Sequence, residues 1–234
     1  MNYLYLDTVT STNDYAKRNI DLISDKTVVY TSNQTKGRGR FNRLWVDLGQ
    51  ENLFISIVLK PSLNFNNSYS CLTQYTGLKL AQTFVEYGVT PNIKWPNDIL
   101  INGKKISGIL AETVYKDRVL KGIIVGVGIN LNANEEDFAK IDKAVTSLNI
   151  ETNSEIDKNT FLKSFINIFS EDYDAFLQKG FLFIKDDYEK YINFIGKEIS
   201  ITNINDKFTG TAEKITDDGA IVISGKKFYT GDIL

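Results

Sequence analysis

The chain contains no histidine at all. That removes Ser-His-Asp and Cys-His hydrolases, and every zinc site that relies on imidazole. Chemistry here has to run on lysine, arginine, carboxylates, backbone donors or a metal held by oxygen ligands. Such a set favours reactions whose nucleophile arrives with the substrate. Cysteine occurs once, at Cys71. An internal disulfide is therefore excluded, and a reducing compartment fits. Cys71 opens an apolar, helix-like stretch and reads as a small buried hydrophobe rather than a nucleophile. No run approaches the roughly 18 apolar residues of a membrane-crossing helix. The opening segment MNYLYLDTVTSTND has neither the basic nor the apolar part of a signal peptide. These absences predict a cytoplasmic location and no membrane partner. Surplus positive charge is also missing: a net charge of −2 and a pI near 5.4 argue against a general nucleic-acid binder.

What is present is ordinary globular composition, with 42% hydrophobic and 24% charged residues in 234. That length suits one substantial domain with a small appendage. Tyr3–Asp7 reads as a strand. Ser11-Thr12-Asn13-Asp14 resembles a helix start, with a helix running to about Ile23. Thr27–Thr31 is a β-branched strand. Ser32–Trp45 is a polar loop rich in glycine and arginine, at the upper limit for a connection without structure, which marks it as a lid. Asn52–Lys60 is a strand, and Ser68–Tyr87 has helical periodicity. Ile93–Trp95 and Ile99–Ile101 flank Pro96-Asn97, and Asn102-Gly103 is a strong hairpin signal. Lys104–Tyr115 and Val119–Ile129 follow as long strands turning at Lys116–Asp117. Helices are predicted near Glu135–Lys140, Lys158–Lys179 and Phe183–Ile195. From Gly196 the texture becomes short alternating strands, Glu198–Thr202, Phe208–Ile215, Ala220–Ile223 and Lys226–Tyr229, the pattern of a small SH3-like barrel docked on the main body.

Three segments carry chemical signals. Gly37-Arg38-Gly39-Arg40-Phe41-Asn42-Arg43-Leu44-Trp45 follows Gln34 and Lys36. Glycine lets backbone N–H groups approach an anion, and arginine forks bind phosphate or carboxylate oxygens bidentately. On composition alone the segment equally fits a solvated basic loop. It is not a phosphate-binding Walker loop, because Gly-Lys-Ser/Thr is missing at the required spacing, and it opens no apolar helix as a dinucleotide fingerprint would. The second segment is Lys94-Trp95-Pro96-Asn97-Asp98-Ile99, continuing through Lys105-Ile106-Ser107-Gly108-Ile109-Leu110-Ala111-Glu112. Alternation predicts that Lys105 and Ser107 share one strand face, with Asp98 turned towards a cleft. Read alone, Asp98 is equally a turn residue and Lys105 a solvated charge. The third is Gly126-Val127-Gly128-Ile129-Asn130, where glycines in a strand mean a bulge, close packing or a ring laid on the sheet.

Together with Ser11-Thr12-Asn13, these segments resemble the biotin–protein ligase family, in its order and spacing and over essentially the whole chain. The resemblance implies an α/β fold, a mixed sheet flanked by helices and related to class II aminoacyl-tRNA synthetases. It assigns residues 1–195 to a catalytic domain and 196–234 to an SH3-like barrel. The implied reaction is adenylation of biotin by ATP to biotinyl-5′-AMP, then transfer to a lysine of a biotin carboxyl carrier domain, that of acetyl-CoA carboxylase being the family expectation. Ser11, Thr12, Asn13 and Gln34 would address the ureido ring, with Arg38, Gly39 and Arg40 closing over it. Lys105 would bridge the biotin carboxylate and the α-phosphate. Arg38, Arg43, Asn97 and Asn130 would hold the nucleotide, with Trp45 over the adenine. Gly108 and Gly126 on the biotin side and Gly128 on the ATP side would be points of backbone approach. Lys105, Arg40 and Asp98 carry the catalytic assignment. Mg²⁺ is implied as counter-ion of the triphosphate, with Asp98 either its ligand or the group that activates the acceptor lysine. Asn42 stands where the family usually has glycine. The chain begins directly at the catalytic segment, so no specific DNA binding is expected. Family dimers use a sheet edge, and nothing in the sequence selects between monomer and homodimer. A lipoate–protein ligase is the nearest alternative, though it usually carries a histidine after its glycine-rich segment; a non-catalytic biotin-binding regulator is a third reading.

Overall fold

Even-numbered positions of one long strand, Ile124, Gly126, Gly128 and Asn130, pass from bulky to bare to polar, while the odd-numbered Ile123, Val125, Val127 and Ile129 are uniformly apolar. In a strand these sets lie on opposite faces, and that asymmetry organises the molecule. The computed structural model describes residues 1–46, 48, 51–60, 67–203 and 206–234. Its main sheet has seven strands. In spatial order they are β1 (Asn2–Tyr5), β2 (Thr27–Thr31), β5 (Asn52–Leu59), β9 (Val119–Asn130), β8 (Lys104–Lys116), β7 (Asp98–Ile101) and β6 (Pro91–Lys94). β1 runs parallel to β2 and every other pair is antiparallel, so the sheet is mixed.

The apolar face of this sheet packs on α2 (Leu72–Glu86), α4 (Lys158–Glu171) and α5 (Tyr173–Lys179), with Phe84, Phe161, Phe165, Phe169 and Phe176 fully buried. Five phenylalanines removed from water stabilise this layer by roughly 1.5–3 kcal/mol each, before the entropy of ordering them. Among the described residues the opposite face carries one helix, α1 (Thr12–Arg18), whose Ala16, with Ile20 beyond its end, covers Val29, Val58 and Ile124. Beyond Ile124 no helix among the described residues covers this face; there the glycines lie, and there the cleft forms.

After Gly196 a second sheet of five strands follows, in the order β13 (Lys226–Phe228), β12 (Ile221–Ile223), β11 (Lys207–Ile215), β10 (Glu198–Thr202) and β14 (Asp232–Ile233). Its Ile199, Ile201, Ile215, Ile221, Ile223 and Ile233 belong to the same apolar cluster as the large layer. The turn at Asp218-Gly219 docks it further, since the Gly219 carbonyl accepts from Gln74 Nε2 at 3.0 Å and from Trp95 Nε1 at 3.3 Å.

The structure departs from the sequence reading at several elements. α1 stops at Arg18 rather than near Ile23, because the Asn19 backbone and side-chain amides both donate to the Tyr15 carbonyl and close the last turn. The predicted helix over 158–179 breaks at Asp172, whose carboxylate reaches Lys79 in the body of α2. The predicted helices over 135–140 and 183–195 shrink to a 3₁₀ turn at Asp137–Lys140 and to α6 (Lys185–Glu189). α3 (Leu148–Thr152), capped by Ser147, and β14 are additions. The long hairpin turns at Asp117-Arg118, both at positive φ, rather than at 116–117. The arginine loop holds a ribbon, in which β3 (Gly37–Arg38) pairs with β4 (Leu44–Trp45) across a 3₁₀ turn at Arg40–Asn42. The side chain of Asn42 lies outside the described residues.

Candidate active site

A cleft of about 610 Å³ opens on the glycine side of the main sheet, between the arginine ribbon, the start of α1 and the end of the second sheet. One end is polar and largely prearranged. Ser11 caps α1, its Oγ accepting from the Asp14 amide at 3.3 Å, which leaves the hydroxyl proton for a ligand oxygen. Gln34 Oε1 accepts from the Thr12 amide at 2.8 Å and the Thr12 hydroxyl at 3.2 Å, so its Nε2 is the group left to donate. Asn13 is locked on both sides. Its Oδ1 accepts from Ser56 at 2.6 Å, and its Nδ2 donates to Glu112 at 2.8 Å and the Leu110 carbonyl at 3.2 Å. Gly126 makes this possible, because a Cβ there would stand 2.4 Å from Asn13 Oδ1. The bare position thus admits a protein amide, not a ligand ring.

Gly108 and Gly128 face each other across β8 and β9. Trp45 lies on them: a Cβ on Gly128 would approach its ring to 2.9 Å, and one on Gly108 to 2.8 Å. These two glycines form a shelf for an aromatic plane, and Trp45 occupies it. Lys105 stands beside the shelf, its ammonium 5.4 Å from the Trp45 ring and 2.7 Å from an Asp98 oxygen. The predicted sharing of a face by Lys105 and Ser107 is overturned. Ile99 pairs with Ser107 and Leu100 with Lys105, so Ile106 is an extra residue in a bulge. The bulge turns Ser107 into the sheet, where its hydroxyl donates to the Gly128 carbonyl at 2.7 Å, and brings Lys105 and Gly108 to the same cleft wall.

The ribbon closes the other wall. Arg38 pairs with Asp14 and, at 3.7 Å, with Glu112, which also holds Lys17 at 2.8 Å. Burial raises the Asp14 carboxyl, but Lys17 and Arg38 outweigh it and hold the group below the usual carboxylate range. A depressed folded-state pKa means stabilisation that is complete above about pH 4 and is lost as pH falls through the lowered value. Asp14→Asn is therefore expected to lower stability at neutral pH, to converge on wild type in strong acid, and so to flatten part of the acid limb of a melting-temperature profile. Parallel profiles for variant and wild type below pH 4 would contradict this.

Arg40 is the most engaged cation of the loop. It donates to Asn97 Oδ1 at 3.0 Å, the Gly231 carbonyl at 2.9 Å, Asp232 Oδ1 at 2.7 Å and the Thr230 hydroxyl at 3.0 Å. Arg43 pairs with the second Asp232 oxygen. Asn97 in turn donates to Asp98 at 2.9 Å.

The structure therefore brings Ser11, Thr12, Asn13, Gln34, Arg38, Gly39, Arg40, Arg43, Trp45, Asn97, Asp98, Lys105, Gly108, Gly126 and Gly128 to one cleft. Asn130 stands apart from the lining, its Nδ2 donating to the Thr146 carbonyl at 3.0 Å. Opposite it, Asn52 is fully buried with no hydrogen-bond partner for its amide among the described residues. Sequence reasoning missed Ser56, Glu112 and Asp232 as parts of the site. Glu112 closes the Lys105–Glu112 segment and carried that much signal; Asp232 carried none, since it reaches the cleft only through the docking of the second sheet. Asp98 fits a metal poorly. Its Oδ1 is engaged by both Lys105 and Asn97, and no group of three histidine, cysteine or carboxylate side chains clusters among the described residues.

A mixed sheet that converges three arginines and three lysines on one cleft, beside a polar pocket with unspent donors, defines a protein that holds anionic small molecules together. The chain belongs to the biotin/lipoate A/B protein ligase family, whose sequence profile matches residues 5–130. Among its relatives is the bifunctional ligase/repressor BirA of Bacillus spizizenii, 31% identical over 98% of this chain and 73% of that protein. The biotin–[acetyl-CoA-carboxylase] ligase of Paracoccus denitrificans is 29% identical over 92% of this chain and 91% of its own length. Among solved structures, the biotin protein ligase from Aquifex aeolicus in complex with biotin and ATP superimposes with a TM-score of 0.86 at 29% identity, over 100% of this chain and 97% of that one.

Proposed function

We propose that the protein is an ATP-dependent biotin–protein ligase, which forms biotinyl-5′-AMP and passes the biotinyl group to a lysine of a carrier domain. The observation that carries this reading is the convergence of Arg38, Arg40, Arg43 and Lys105 on one cleft that also holds the Ser11–Asn13 and Gln34 pocket. The reaction needs no nucleophile from the enzyme. The biotin carboxylate attacks the α-phosphorus, pyrophosphate leaves, and the protein positions the reactants and neutralises developing charge. A chain without histidine is adequate for that.

The ureido group of biotin both donates and accepts. The Ser11 hydroxyl and Gln34 Nε2 would donate to its oxygen, and Thr12 and the fixed Asn13 would complete the pocket. Arg38, Gly39 and Arg40 would close over the bound ring, with Gly108 leaving room beside Lys105. Lys105 would leave Asp98 for the biotin carboxylate and the α-phosphate. Arg38, Arg43 and Asn97 would serve the phosphates and ribose, and Trp45 would rise from its shelf over Gly108 and Gly128 to cover adenine. Asn130 would serve the nucleotide only after releasing Thr146. Mg²⁺ would enter as counter-ion of the triphosphate, held chiefly by phosphate and water oxygens. That leaves Asp98 suited to orienting the acceptor amine, which must lose a proton before it can attack. The acceptor we assign is the biotin carboxyl carrier domain of acetyl-CoA carboxylase. Residues 1–195 would carry the chemistry and 196–234 would frame the cleft. The cytoplasm fits, as the source of ATP and a place where the solitary Cys71 stays a thiol.

The test is exchange of labelled pyrophosphate into ATP. It should depend on biotin and be indifferent to lipoate; exchange that depends on lipoate, or on neither, would refute the assignment. Within this reading the arginine ribbon keeps water from the adenylate. Arg40→Ala should still make adenylate but release it roughly tenfold faster, the effect of losing about 1.4 kcal/mol of contact. Adenylate retained as tightly as in wild type would end the lid assignment.

A further inference from the structure

We propose that Asp232 is a positioning residue that latches the arginine ribbon shut from the second sheet. The proposal rests on the ligase reading above. Its basis is one carboxylate shared between two guanidiniums: Oδ1 takes Arg40 at 2.7 Å and Oδ2 takes Arg43. Neighbouring groups reinforce it. Of the four acceptors around Arg40, three belong to the stretch Thr230–Asp232, and only Asn97 lies elsewhere. Two cations three residues apart in a bare loop would repel each other, and a carboxylate between them removes that cost.

The anchor itself cannot drift. Asp232 pairs with Thr202 and Ile233 with Ile201 in β10, the Leu234 amide donates to the Ser200 carbonyl at 2.9 Å, and Ile233 is buried in the common core. Gly231, at φ 146°, has no room for a side chain, since a Cβ would meet Ile201 at 2.6 Å. Its backbone can therefore turn the carbonyl towards Arg40. The carboxylate sits at 15% side-chain exposure, Arg40 at 17% and Arg43 at 57%. Arg40 is thus the fixed half of the latch. Arg43, open to solvent, can turn to a phosphate while Arg40 stays held. The second sheet in this way supplies the far jamb against which the ribbon closes.

Asp232→Asn keeps shape and one acceptor but removes the charge and turns an amide N–H towards one guanidinium. Two readouts apply. Trypsin cleavage after Arg38, Arg40 or Arg43, followed by mass spectrometry on the full-length protein, reports the latch without any substrate. Release of adenylate, with the ATP KM and kcat of pyrophosphate exchange measured alongside, reports its use. The asparagine variant is expected to be cut and to lose adenylate roughly tenfold faster, with kcat nearly unchanged. Asp232→Glu should recover much of both. If cleavage and release match wild type, or if the ATP KM falls while release is unchanged, Asp232 is no latch; the second result would make it a competitor of the nucleotide. Should Asp232→Asn not fold, Thr230→Val, which removes one Arg40 acceptor, is read in the same two ways, and the same results support or overturn the latch. A wild type without biotin-dependent exchange would refute the ligase reading instead, and the proteolysis result would stand by itself.

Discussion

Lys105→Ala is expected to slow biotin-dependent pyrophosphate exchange by roughly 10²–10³, the usual loss when one preorganised donor to a developing anion is removed. The fold should survive. The backbone of Lys105 is held by its own bonds, the amide donating to Ala144 O at 2.8 Å and the carbonyl accepting from Thr146 at 3.0 Å. Two effects combine in the loss. The variant removes the cation beside the Trp45 shelf, and it leaves Asp98 as an unbalanced negative charge where two anionic reactants meet. Adding Asp98→Asn should therefore recover part of the first half-reaction and none of the transfer that we assign to Asp98. Exchange measured for the single and double variants, with melting curves for both, checks this. A Lys105→Ala rate within a few-fold of wild type would take Lys105 out of the chemistry.

Gly126→Ala is expected to weaken biotin binding about 10- to 100-fold, although Gly126 itself need touch no ligand. Its new Cβ would fall 2.4 Å from Asn13 Oδ1 and 2.7 Å from Nδ2. Asn13 cannot step aside, because Ser56, Leu110 and Glu112 hold its amide and its backbone starts α1. Overpacking of this kind costs about 1–3 kcal/mol, and a displaced buried amide about as much again. Both fall on the wall we assign to the ureido ring. Asn13→Ala clears the space, so in the double variant the glycine substitution should cost far less stability than it does alone. Additive costs in that cycle would show that the clash is relieved elsewhere, and calorimetric titration of biotin gives the affinity.

How much of the molecule is legible in its sequence follows a physical line. The strands of the main sheet carry alternating or continuous apolar runs, and the Asn102-Gly103 turn has the two positive φ angles its residues favour. Those elements can be read locally. The Arg38–Arg43 ribbon and the Lys94–Asp98 turn are ambiguous singly, a basic loop and a turn, and become legible as chemistry only through their joint resemblance to one family. The Ile106 bulge is not legible: strand alternation is the default, and only pairing with β7 reveals the extra residue. The break at Asp172 depends on a lysine 93 positions earlier, and no window along the chain contains both. Resemblance assigns Asn130 to the nucleotide, yet its amide serves Thr146. Asp232 lies furthest from view, past the last strand read from the sequence, and becomes part of the cleft only when two sheets share one core.

The chain has two tryptophans, and their placement makes the protein its own optical probe. Trp95 lines the cleft but is 1% exposed and fixed by its indole N–H on Gly219, so its emission should change little. Trp45 rests on the glycine shelf under the Lys105 ammonium. Most of any change in intrinsic fluorescence on adding nucleotide should come from that ring, which a Trp45→Phe variant would check, and a stopped-flow trace would time the closing of the site without a dye.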